Sequence, residues 1–71
     1  MNAPIVTVEH GTLTATVRVP DHRADLTLRR AVPATGRELV DVYCWSVWSS
    51  RLGPLLAALR GAGYDVSEVG R

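Results

Sequence analysis

The chain has 71 residues, which is room for one domain and places it near the lower end of what a single core stabilises unaided. It has one cysteine, Cys44, so no intrachain disulfide can form, and no apolar run approaches the roughly 20 residues of a transmembrane helix. A cytoplasmic protein without signal peptide or membrane anchor is the expectation. The net charge of +1 excludes a strong global attraction to nucleic acid or acidic lipid.

All eight basic side chains are arginine, a bias expected of a GC-rich coding sequence such as that of a high-GC bacterium or phage. They are unevenly placed. Residues 18–37 hold Arg18, Arg23, Arg29, Arg30 and Arg37 against only Asp21 and Asp25.

Ile5 to Glu9 is a β-branched run, His10-Gly11 breaks it, and Thr12 to Val19 resumes in strict alternation. A hairpin is predicted, because Gly11 supplies the positive φ that a tight turn demands. In the second strand Leu13, Ala15, Val17 and Val19 share one face and Thr12, Thr14, Thr16 and Arg18 the other. Pro20 ends the strand, and residues 20–25 read as a loop.

A third strand is predicted over Asp25 to Val32, with Leu26, Leu28 and Val32 on one face and Arg30 breaking the pattern. A helix capped by Asp25 competes with it. The β-branched Thr27 and nearby Pro33 favour the strand. Pro33 to Arg37 then reads as a turn.

Leu39 to Trp48 reads as one strand rich in β-formers, with Val40, Val42, Cys44 and Ser46 on one face and Asp41, Tyr43, Trp45 and Val47 on the other. Both faces are apolar enough to need covering. A helix is predicted after Ser49-Ser50, either serine serving as N-cap, or from Pro54 as its first residue. Leu52, Leu55, Leu56 and Leu59 form its buried stripe, and Gly61 and Gly63 stop it. Tyr64 to Val69 is a short last strand, with a right-handed crossover if it lies parallel to Leu39–Trp48. The expected fold is α+β: a small, mostly antiparallel sheet of four to five strands with one helix on one face, in the order β-β-β-β-α-β. No internal repeat is visible.

One helix leaves one sheet face open. Tyr43, Trp45 and Val47, with Arg18 and Arg29, are the candidate partner-binding residues there. Homodimerisation, or docking onto a partner protein, would cover that face and add the stability a small core lacks. Partial covering of the aromatics by arginine stems within a monomer competes with it. Binding of single-stranded nucleic acid, with aromatics stacking bases and Arg18, Arg23, Arg29 and Arg30 tracking phosphates, is the weaker alternative. Trp48 is expected to cap one end of the core.

Catalysis has little support. His10, His22 and Cys44 lie on separate elements with no ligand-pair spacing, so neither a nucleophile–base pair nor a metal site is expected. Asp21, His22 and Asp25 read as turn formers. Gly61-Ala62-Gly63 follows a helix and is a C-cap, not a phosphate cradle. No cofactor is expected, and the function expected is a non-enzymatic interaction module.

Overall fold

A computed structural model describes residues 4–70. The elements are β1 (Ile5–His10), β2 (Thr14–Arg18), α1 (His22–Ala31), β3 (Arg37–Asp41), β4 (Cys44–Trp48), α2 (Leu52–Gly61) and β5 (Asp65–Val69). Short 3-10 turns precede β3 and α2, at Ala34–Gly36 and Ser49–Arg51. The strands form one sheet in the order β3-β4-β2-β1-β5, antiparallel except for the β1–β5 pair. The fold is a small α+β domain, as the alternation and the leucine stripe predict.

The β1–β2 hairpin turns at Gly11, whose N–H donates to Thr14 O at 2.9 Å. Gly11 does not take the positive φ expected of it, and β2 starts at Thr14, which leaves Thr12 and Leu13 in a longer loop with Leu13 68% exposed rather than on the core face. A Cβ at Gly11 would come within 2.6 Å of that same carbonyl oxygen, so it is the close approach that requires glycine.

Asp25 to Ala31 belongs to α1 and not to a third strand, and Val32 is the extended C-cap of that helix. The N-cap is Asp21, which accepts from the Ala24 N–H at 2.9 Å. Ala24, Leu28 and Val32 are fully buried and recur every four residues, which is helical spacing, while Leu26 is left partly exposed. Arg29 and Arg30 in the last turn suit the negative end of the helix dipole.

Leu39 to Trp48 is likewise two strands. Val42 and Tyr43 form the tip of a β3–β4 hairpin, Tyr43 at a φ of 56°, a left-handed value uncommon outside glycine. The Tyr43 carbonyl accepts from Val19 N at 2.9 Å, which ties the tip to the end of β2.

Neither Ser49 nor Ser50 caps α2. The 3-10 turn runs directly into the helix, and Arg51 at the N-cap makes no side-chain cap bond. At the other end Gly63 takes a φ of 96°, with Gly63 N–H bonding to Arg60 O and Tyr64 N–H to Leu59 O, a Schellman termination. β5 runs in the same direction as β4 but pairs with β1, so α2 crosses over β2 and β1.

Both helices lie on one side of the sheet. Val6, Val8, Ala15, Val17, Trp45 and Val47 point into the core, where they meet Ala24 and Leu28 of α1 and the α2 stripe of Leu52, Leu55, Leu56 and Leu59. Each large aliphatic side chain so buried contributes about 1.5–3 kcal/mol against the entropy of ordering the chain.

A structural repeat underlies this layout although no residue pattern announces it. β2 and β4 start and end 30 residues apart, and so do α1 and α2. Each half is a hairpin followed by a helix, and the halves meet at the antiparallel β2–β4 pair, across an approximate two-fold axis normal to the sheet.

Candidate interaction surface

The register of β4 on β2 decides which side chains are available to a partner. Ala15 pairs with Val47 and Val17 with Trp45, so Trp45 and Val47 lie on the helix-covered side, with relative exposures of 5% and 0%. The expected open-face placement of Tyr43, Trp45 and Val47 is corrected accordingly. Tyr43, at the hairpin tip, packs partly buried against the core.

Trp45 is held at both its polar and its aromatic surfaces. Its Nε1–H donates to Asp25 Oδ1 at 2.7 Å, and Asp25 Oδ2 accepts from Arg29 Nε at 2.9 Å. The guanidinium carbons of Arg29 and Arg37 stand 4.9 and 5.4 Å from the ring centroid. Each such contact contributes about 0.5–2 kcal/mol. Arg37 also donates through Nη1 to the carbonyls of Arg29 and Val32, satisfying the last turn of α1. Arg29 therefore closes, from its exposed position on α1, a network whose buried members are Asp25 and Trp45. It does not share a surface with Arg18, which is exposed on the opposite side of the sheet.

A second network ties the helices together at their other ends. Arg23 Nε donates to the Tyr64 hydroxyl at 3.0 Å, and that hydroxyl donates to Asp21 Oδ1 at 2.7 Å. The hydrogen bond from the Ala24 N–H, then that from Tyr64, holds the Asp21 carboxyl below the usual carboxylate range. The same hydroxyl raises the Arg23 guanidinium further still. His10 is bound to Glu68 at 2.8 Å, His22 is exposed at the start of α1, and Cys44 is buried in β4, so these three stand apart.

The uncovered sheet side carries Thr14, Thr16, Arg18, Ser46 and Trp48. Trp48 is 48% exposed there, and so does not cap the core as expected. Beside it Thr14, Thr35, Glu38 and Ser46 line a shallow cleft of about 230 Å³. Among the described residues the guanidinium groups of Arg18, Arg30 and Arg51 have no hydrogen-bond or ion-pair partner.

The largest apolar exposure is at the β3 edge. Leu39, Val40 and Val42 are 55%, 60% and 79% exposed in one short segment of edge strand and turn. They were legible as β-formers, but a single long strand would have placed them inside the sheet.

The class defined by this architecture is a five-stranded α+β domain with helices on one side and a bare apolar edge. Compared with known protein families, curated proteins and solved structures, the chain matches none.

Proposed function

We propose that the protein is a small non-enzymatic interaction module that self-associates or docks onto a partner protein, through the β3 edge rather than through Trp45. The observation that carries this reading is the exposure of Leu39 and Val40 on β3, and of Val42 in the turn that follows, along a strand whose outer side pairs with nothing among the described residues. An edge of this kind offers both apolar area and unpaired backbone groups, the two elements of strand-to-strand recognition. The test is native mass by light scattering over a range of protein concentration. Mass rising above that of one chain supports self-association; a monomer throughout restricts the reading to a foreign partner.

A second reading, binding of nucleic acid, is supported by Arg18, Arg30 and Arg51, whose guanidinium groups have no partner among the described residues, and by half-exposed Trp48. Phosphate contacts release counterions, so such binding weakens steeply with salt. Failure to shift single-stranded DNA or RNA at low salt overturns it.

A further inference from the structure

Two of this protein's aromatic rings keep the same company. Arg29 stands 4.9 Å from the centroid of Trp45, whose indole N–H donates to Asp25, and Arg23 stands 4.9 Å from that of Tyr64, whose hydroxyl donates to Asp21. Each ring thus has a carboxylate at its polar atom and a guanidinium over its face. Trp48, on the uncovered side of the sheet, has a carboxylate beside it and no guanidinium. Glu38 of β3 pairs with Ser46, two residues before Trp48 on β4, so Glu38 and Trp48 are diagonal neighbours and line one cleft. Such positions lie roughly 7–8 Å apart, which leaves room for a flat group between ring and carboxylate.

The polar groups around that gap are spare. Among the described residues the hydroxyls of Thr14, Thr35 and Ser46 and the carboxylate of Glu38, all lining the cleft, have no hydrogen-bond or ion-pair partner. No arginine of the chain fills the gap. Arg37 pairs with Val47 and is turned to the helix side, where it donates to the carbonyls of Val32 and Arg29. The stem of Arg51 passes Gly36, its Cγ 3.4 Å from where a Cβ there would stand, but Arg51 does not line the cleft.

We propose that this cleft takes an arginine side chain of a partner peptide, its guanidinium stacked on the Trp48 indole and paired with Glu38. The chemistries match. A guanidinium has five N–H donors and no acceptor, and the cleft presents a carboxylate, three hydroxyl oxygens and the face of an indole, all of which accept. A lysine ammonium brings the charge without the plane. A neutral sugar ring would meet the same hydroxyls and indole but leave Glu38 without a counter-charge, and phosphate is repelled by it. The site lies on the open face of the sheet, apart from the outer side of β3, and holds whether or not the chain self-associates.

The experiment is a nuclear magnetic resonance titration of the isotope-labelled full chain at low salt with acetyl-Gly-Arg-Gly-amide. The peptide is taken to about 20 mM, because one exposed, stacked ion pair gives binding on the order of millimolar. Trp48→Phe removes one of the two indole N–H resonances and so assigns both. The expected result is a saturable shift of the Trp48 indole and of the Glu38 and Ser46 amides, with the Trp45 indole unmoved. The lysine peptide binds more weakly, and the citrulline peptide, equal in shape but uncharged, shifts nothing. Glu38→Gln weakens binding about threefold or more and Trp48→Ala abolishes it, the remaining resonances showing that both variants fold. Absence of a saturable shift at Trp48, an equal response to the citrulline peptide, or binding unchanged by Glu38→Gln overturns the site. A shift at Trp48 from methyl glucoside or from a short oligothymidine, with none from the arginine peptide, also overturns it and assigns the ring to a sugar or to nucleic acid.

Discussion

Trp45 and Asp25, 20 residues apart, meet at 2.7 Å in the interior, the indole N–H donating to a carboxylate that is the sole buried charged group among the described residues. Asp25 is satisfied a second time by Arg29, whose guanidinium also stands over the indole. The contact joins β4 to α1, so the aromatic residue that most resembles a binding group is instead a bolt between sheet and helix.

Trp45→Phe removes the donor and leaves the buried Asp25 oxygen without it, at an expected cost of about 1–3 kcal/mol beyond the loss of ring volume. Asp25→Leu strands the indole N–H at a similar cost. If the bond is the reason, the double variant is less destabilised than the sum of the two single ones, since neither member of the Trp45–Asp25 pair is then left buried without its partner. Urea titration of the four proteins measures this, and strict additivity would contradict it.

The Asp21 carboxyl lies below its usual value because Ala24 N–H and the Tyr64 hydroxyl donate to it in the fold. Its contribution to stability is complete above the unfolded value of 3.8 and is lost as the pH falls through the lowered folded value. Asp21→Asn keeps an acceptor at the helix cap but has no charge to titrate. It is expected to be less stable than wild type at neutral pH, and the gap is expected to narrow as the pH falls below 3.8, as urea midpoints at neutral and at acid pH would show. An equal deficit at both would place the effect in cap geometry alone.

Two glycines are expected to respond in opposite directions to the same substitution. A Cβ at Gly36 would stand 3.2 Å from Val32 Cγ1 and 3.4 Å from Arg51 Cγ, and fully buried Val32 has little room to give, so Gly36→Ala should cost about 1–3 kcal/mol. Gly61, the last residue of α2, has nothing within 4 Å of the added carbon apart from its own helix and its chain neighbours. Gly61→Ala should stabilise by about 0.5–1 kcal/mol through lost freedom of the unfolded chain. Thermal melts of both variants check the pair.

Local chemistry settled several elements before any tertiary contact was known. Gly11 marked the first hairpin, the alternation of Ala15, Val17 and Val19 marked its core face, and Leu52, Leu55, Leu56 and Leu59 with Gly63 marked α2 and its end. These are short-range signals, carried by the missing Cβ of Gly11, the left-handed φ of Gly63 and periodicities of 2.0 and 3.6. The segment from Asp25 to Val32 was ambiguous because Leu26, Leu28 and Val32 fit a strand while Ala24, Leu28 and Val32 fit a helix. Small Ala24 carries little weight in a pattern but is fully buried.

What only the tertiary structure decided is which face of each strand is covered. The alternation within β4 is evident in the residues themselves, yet whether Trp45 or Trp48 points at the helices depends on pairing Val17 with Trp45. A shift of one residue in that register would exchange the two faces, and no local signal distinguishes the alternatives. The bare edge of β3 and the two-fold kinship of the halves are set in the same way. They arise from strand order, which is chosen by how the whole chain buries its apolar surface at once.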